Sequence, residues 1–407
     1  MQYLKMISKH INCSRLFKVV ALFLSLSSGL LLYSCKNRGL DASSSIELRG
    51  INSLGIANVV ITDTITISTE RTSMSGRWTT DGKSLIFADK GKVPVSFYSP
   101  GGEFEKQIFV QGRGPDEVLS PATAMLPLSG GGYAYFSAGD ARFYLFDSLL
   151  NNLSSFNLLR VIAKDVDWDD LLRNPDPENI AMYEQILFNN DITELGDYIL
   201  FPTTTEHQRY NGFMKNQRAK EFYRDSYTLM AINKRDPAEI RIFGHFPAIY
   251  NRMMIPNFMN RTVASDGSNL FVSYEADSLI YAYDKDLQLS FAFGIGGKDV
   301  KDDYPEVTTF EKYEETNRAH HTKYGHYLQM VYGDGYLIRK YNRPNDVSAI
   351  QIYKDYNLLC DVEMPYRRFE IIGYIEPFFY AQADIDFEYE LCKIIRFKIA
   401  SPVSSQR

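Results

Sequence analysis

The sequence predicts an all-β protein assembled from six repeated antiparallel units, and three observations carry that expectation. The first is a recurring hairpin. Ser278–Gly294, SLIYAYDKDLQLSFAFG, places two apolar runs rich in Tyr, Phe, Leu and Ile on either side of the polar break Asp284–Lys285–Asp286. β-branched and aromatic residues suit a pleated, half-buried surface, and a short polar break between two such runs reads as a turn. Related runs begin at Val95, Phe143, Tyr227 and Ala349. The second observation is a start signal ahead of each hairpin, a Gly or Asp-Gly followed by a short apolar run: DGKSLIFAD from Asp81, GGGYAYFSAGD from Gly130, LGDYILFPT from Leu195, DGSNLFVSY from Asp266 and GDGYLIRKY from Gly333, with a looser EPFFYAQAD from Glu376. Gly admits the positive φ that tight turns require. The third is composition: 28 Tyr and 26 Phe supply the large flat side chains on which neighbouring sheets pack. Units of three to four strands recurring at roughly 50 residues suit a β-propeller, in which small sheets circle a channel. A β-sandwich, or two smaller β domains, is the alternative arrangement.

Taken in order, the chain opens with a targeting segment over residues 1–34. Lys5, Lys9, Arg15 and Lys18 form a basic n-region without an acid, and Val19–Tyr33 is an apolar stretch too short for a comfortable membrane span. The segment closes on Leu32-Tyr33-Ser34-Cys35. This resembles the bacterial lipobox, in which the cysteine becomes the lipidated N-terminus, so the resemblance implies lipidation at Cys35. An ordinary secretory signal or an N-terminal membrane anchor is the competing reading. Lys36 lacks the Asp associated with inner-membrane retention, so the outer membrane is the expected address, on its periplasmic or surface side.

Residues 35–44 read as a flexible tether, and 45–407 as the propeller domain. Without its four basic residues the mature chain moves from the formal charge of −6 to −10, which argues against nucleic-acid binding. Of four Cys, Cys13 leaves with the targeting segment and Cys35 is the expected lipid site, leaving Cys360 and Cys392 as a disulfide or as two buried thiols. Ile56–Ser68, IANVVITDTITIS, is strand-like but belongs to no complete unit; it is expected to complete the last unit and close the ring. Three insertions, 160–194, 203–226 and 298–326, interrupt the repeat. Ile180, Tyr183 and Leu187 fall at helical spacing in the first, the second reads as a helix or long hairpin tip, and the third is charged and partly helical. Such insertions shape the binding face.

The segment Phe109–Val118, FVQGRGPDEV, resembles the Gly-Arg-Gly-Pro motif of TolB-like six-bladed propeller lipoproteins of Bacteroidota through Gly112, Arg113, Gly114, Pro115, Asp116 and Glu117. The resemblance implies a fold and an address but no reaction. On the residues alone, the segment is a turn-rich connection between units, with Asp116 and Glu117 as local caps.

The sequence holds no GxSxG, HExxH, Walker A or post-strand GxGxxG motif. The leading expectation is therefore a binding or scaffold module rather than an enzyme, expected to be monomeric, with an envelope protein, peptide or oligosaccharide as partner. A hydrolase or lyase using a metal or carboxylates at the channel mouth is the alternative. Asp384, Asp386, Glu388 and Glu390 alternate with apolar residues, which places them on one strand face. Ca²⁺ is the cation they would suit, but a solvated edge strand accounts for them, and no cofactor or metal is expected. His320, His321 and His326 are expected on a loop surface. The candidate ligand-binding residues are Arg113, His245, Arg252 and Arg261, on two connections that would share one end of the ring, where guanidinium groups suit an anionic or polyhydroxyl ligand.

Overall fold

The computed structural model describes residues 46–50, 55–68, 71–73, 75–114, 117–185, 191–205, 207–213, 218–367, 369–386 and 388–400. The signal segment, Cys35, the tether, Pro115 and Asp116 lie outside them.

Hydrogen bonding sorts the strands into six antiparallel sheets, the blades of a six-bladed β-propeller. Blade 1 runs Gly76–Thr80, Leu85–Asp89, Val95–Tyr98 and Phe104–Ile108 from the axis outward. Blades 2 to 5 repeat this meander. Their innermost strands are Ala124–Pro127, Thr193–Leu195, Arg261–Ser265 and His326–Gly333. In blade 6 the chain supplies Glu370–Ile375, Phe378–Asp386 and Leu391–Ala400, and the fourth, outermost strand is Asn58–Ser68 from the other end of the chain. The register runs from Asn58 opposite Ala400 to Ser68 opposite Leu391. The ring thus closes as its orphan strand implied. One strand was not anticipated: Glu47–Arg49 adds to the outer edge of blade 4, parallel to Leu289–Phe293.

The Gly-led runs are the second strands of their blades, and the glycines sit in the turn from the innermost strand. Gly82 has φ +80° and Gly267 φ +82°, a left-handed backbone that a side chain would strain. The hairpins read from the sequence are the third and fourth strands.

Packing between blades explains the demand for tyrosine. Tyr135, Tyr250, Tyr274 and Tyr327 are among the largest fully buried side chains, and each hydroxyl meets a backbone group of a connecting segment. Tyr135 donates to the Ser120 carbonyl at 2.8 Å, Tyr250 to Phe258 at 2.6 Å and Tyr274 to His245 at 3.0 Å, while the Tyr327 hydroxyl accepts from the Gly297 N–H at 2.8 Å. A phenylalanine would fill the volume and leave those backbone groups unpaired. Cys360 and Cys392 are buried free thiols in separate clusters, and burial pushes them up to about 11 and about 12 respectively.

Two local expectations are corrected. Ile180–Met182 is one 3₁₀ turn, and Glu184–Gln185 is a strand paired with Thr203 and Thr204. Adjacent Met182 and Tyr183 are both buried, so burial here follows neighbours rather than a helical face. The acidic run also leaves the strand early. Phe378–Asp386 ends at Asp386, whose carboxylate accepts the Glu388 and Tyr389 N–H groups at 3.1 Å each, so Glu388 and Glu390 belong to the following turn. Asp384 pairs with Lys393 at 3.8 Å on the neighbouring strand, and the four carboxylates do not share a face.

Candidate functional site

In a meander blade, the turn after the second strand and the connection to the next blade leave from the same end. That end carries all three insertions, and their contacts join there. The connection between blades 4 and 5 contains the helix Phe310–Lys323, whose first turn is capped by the Thr309 hydroxyl. Phe310 and Tyr313 pack edge-on against Phe213 of the second insertion, with ring centroids 5.5 and 4.9 Å away. The same connection bonds the blade 3–4 connection through Val307 N–H to the Met254 carbonyl at 2.8 Å. Arg343, at the end of the second strand of blade 5, donates to Asp299 at 2.9 Å and to Glu363 at 2.6 Å, tying the insertion to its blade.

Two features stand on this face. The larger is a cleft of about 770 Å³ at blade 4. Its apolar wall includes Ile249, Leu279, Tyr281 and Val300, and its rim carries Arg252, Lys301, Asp302 and Asp303. Arg252 and Asp302 stand 3.9 Å apart with side chains 64% and 78% exposed, a solvated pair worth about 0–1 kcal/mol. Both are therefore free to exchange that contact for a ligand. The wall formed by Asp277 and Ser278 is fixed from within. Arg339, with no exposed surface, donates to the Ser278 carbonyl at 2.6 Å and to the Asp277 carbonyl, and its guanidinium lies 3.2 Å from the Tyr327 ring centre.

The second feature lies between the innermost strands of blades 4 and 5. Glu275 directly follows the second strand of blade 4, and its carboxylate is buried, accepting the Asn260 N–H at 3.0 Å. His321, from the inner side of the helix, meets Glu275 Oε1 through Nε2 at 2.8 Å, and its Nδ1 faces the Asn317 carbonyl at 2.8 Å. His326 opens the innermost strand of blade 5, buried, with Nδ1 on the Tyr324 carbonyl at 2.9 Å. The two imidazoles are perpendicular with centroids 4.8 Å apart, and Phe258 packs on both. Burial pulls His321 down, but the hydrogen bond and charge of Glu275 outweigh it and leave the ring raised; burial dominates at His326 and lowers it.

The residues singled out from the sequence are dispersed. Arg113 is exposed on the blade 1–2 connection. Beside it Glu117 folds into its own loop, accepting the Gly114 N–H at 2.6 Å and lying so close to Gly112 that a Cβ there would stand 1.9 Å from the carboxylate. His245 is held by the Ser226 carbonyl at 3.0 Å and lies against Tyr227, with burial lowering its pKa. Arg261 is buried, donating to the Thr228 and Met259 carbonyls at 3.0 and 2.8 Å, with burial pulling it down to about 10. Among the four, Arg252 alone lines the cleft, and Arg261 does not reach solvent beside it. His321 and His326, expected at a loop surface, instead converge on Glu275. That grouping draws on three elements separated by 46 and five residues, and only a glutamate closing an apolar strand, FVSYE, hints at it in the sequence.

No protein-family profile matches the sequence, and no curated protein is similar to it in sequence. Solved structures do match in fold. A member of the DUF4221 family from Bacteroides vulgatus aligns over 85% of this chain and 99% of its own at 12% identity, with a TM-score of 0.64. A protein of Bacteroides fragilis described as exported aligns over 87% of this chain and 98% of its own at 12% identity, with a TM-score of 0.52. At this identity the likeness concerns the fold, and it is the whole six-bladed ring that these proteins share with this chain.

Proposed function

We propose that the chain is an exported lipoprotein of the cell envelope, related to the TolB-like propellers of Bacteroidota, that binds a ligand on its insertion-bearing face. The observation that carries this reading is the cleft at blade 4: an apolar wall for contact area, exposed charges at the rim for orientation, and a turn held from behind by Arg339. Pockets that combine a largely apolar lining with a few placed polar groups are the usual form of a binding site. The signal segment ending at Cys35 supports the address, as does the exported description of the fragilis neighbour. Anchoring is tested by labelling with palmitate: wild type takes the label and Cys35→Ala neither takes it nor stays in the outer membrane.

The ligand class follows from the rim. Arg252 and Lys301 offer donors to an anionic or polyhydroxyl group while Leu279 and Tyr281 take an apolar or ring face, which suits an oligosaccharide or the acidic segment of a peptide or envelope protein. Thermal-shift screening against anionic oligosaccharides and acidic peptides should find a stabilising ligand. Arg252→Ala should weaken it at least tenfold without moving the melting temperature of the free protein; unchanged affinity in that variant would place the site elsewhere.

A second reading, a metal- or carboxylate-dependent hydrolase or lyase, is favoured by one observation, the convergence of Glu275, His321 and His326 beside the innermost strands.

A further inference from the structure

The contacts around Glu275 pose a problem of protons. A backbone carbonyl only accepts, so the bonds from His321 Nδ1 to Asn317 and from His326 Nδ1 to Tyr324 place a hydrogen on each Nδ1. In the neutral ring, Nε2 is then a lone pair. His321 Nε2 points that lone pair at Glu275 Oε1 from 2.8 Å. Two acceptors at that separation repel unless a second proton or a cation lies between them. The second proton would make an imidazolium–carboxylate pair of His321 and Glu275 alone and would leave His326 without a role in the group.

A cation accounts for all three side chains together. One donor atom from each of Glu275, His321 and His326 lies within 4.8 Å of the others. Zinc bonds to histidine and carboxylate ligands are about 2.0–2.2 Å, so adjustments of roughly 1 Å at the side chains bring the three to one ion. The carbonyls of Asn317 and Tyr324 orient the rings as outer partners orient histidine ligands, by fixing the tautomer. The remaining Glu275 oxygen is held by the Asn260 N–H. Phe258, itself packed at a tilt on Tyr304 with centroids 4.5 Å apart, covers both rings on one side. On the other side the His321 side chain keeps 23% exposure, an approach for the ion and for a fourth ligand from solvent.

We propose that Glu275, His321 and His326 bind one divalent cation of the Zn²⁺ type. Two imidazoles and one carboxylate suit that class, whereas Ca²⁺ and Mg²⁺ take six or more oxygen ligands. Three protein ligands with an open fourth position is the arrangement that leaves a metal able to hold water or a ligand. Glu275 adjoins Ala276 and Asp277 of the blade 4 cleft along the chain, but none of the three ligands lines that cleft.

The test uses the purified full chain, stripped with a chelator and titrated with ZnCl₂, CoCl₂ and CaCl₂. The expected result is one Zn²⁺ per chain, a visible Co²⁺ spectrum of low-coordinate nitrogen ligation, and no Ca²⁺ uptake. Glu275→Gln and His321→Gln, checked by circular dichroism, should each weaken Zn²⁺ binding by about 100-fold or more. Stripped wild type that takes up neither Zn²⁺ nor Co²⁺ overturns the proposal, as does equal Zn²⁺ binding by folded variants. Should the variants fail to fold, the wild-type Co²⁺ spectrum decides: a pale, octahedral, water-like spectrum also overturns it.

Discussion

Lys340 offers a quantitative test of how blades 5 and 6 meet. It lies on the second strand of blade 5, opposite Gln329 and Ile350, and is only 8% exposed. Its cross-strand neighbour Ile350 and the nearby Ile338 belong to the apolar cluster between the two blades. Burial pushes the ammonium down to about 8, partly offset by the Glu370 carboxylate. An unfolded lysine titrates near about 10.4, so a difference of about 2.4 units at roughly 1.4 kcal/mol each makes the charge cost about 3 kcal/mol near pH 7. Because the folded pKa is depressed, the unfolded chain holds this proton more tightly, and the cost disappears as pH rises from about 8 toward 10.4. Lys340→Met fills similar space without the charge. It should stabilise the protein by about 1–3 kcal/mol at pH 7 and by about 1–2 kcal/mol less near pH 9.5. Total stability is the wrong readout, because Cys360 and Cys392 are also shifted, upward, and oppose the trend as pH rises through the thiol range. The difference between variant and wild type in urea unfolding at the two pH values isolates the lysine. A difference that is independent of pH, or a methionine variant less stable than wild type at pH 7, would refute the reasoning.

Two further outcomes follow from the same packing. Ile67, 1% exposed on the closing strand and packed among residues of blades 6 and 1, should cost about 2–4 kcal/mol when changed to Ala, whereas Val60→Ala, on the exposed side of the strand, should cost under about 0.5 kcal/mol; urea midpoints compare them. Burial lowers the His245 pKa, so this side chain contributes stability above its unfolded value of about 6.5 and loses it as pH falls through the lower folded value. His245→Phe, which keeps a ring against Tyr227, should therefore show a shallower loss of stability between about pH 7 and pH 5 than wild type.

The hairpins and Gly-led turns were readable because they are local: Asp284 bonds the Asp286 and Gln288 N–H groups within its own turn, whatever the rest of the chain does. The innermost strands were not. Thr193–Leu195 spans three residues, and its place is set by Tyr198–Leu200 beside it rather than by any alternation of its own. Arg113 and Arg252 are exposed on connections, whereas Arg261 opens the innermost strand of blade 4 and spends its guanidinium on two carbonyls. Glu275, His321 and His326 became a group only through the docking of a helix, which no spacing in the sequence encodes.

The strand Asn58–Ser68 is made early and paired late. Its partner, Leu391–Ala400, is the last strand among the described residues, so in synthesis from the N-terminus this segment waits with one edge unsatisfied while more than 300 residues follow it. Blades 1, 2, 3 and 5 form from neighbouring sequence, and blade 4 takes only its edge strand Glu47–Arg49 from afar, but the ring itself closes only once Leu391–Ala400 pairs with Asn58–Ser68. A product truncated before Leu391 leaves both the sixth blade and the early strand open, and an open strand edge is a ready template for pairing with another chain. The ring closure is therefore also a check on length: a chain that stops before Leu391 cannot close the ring.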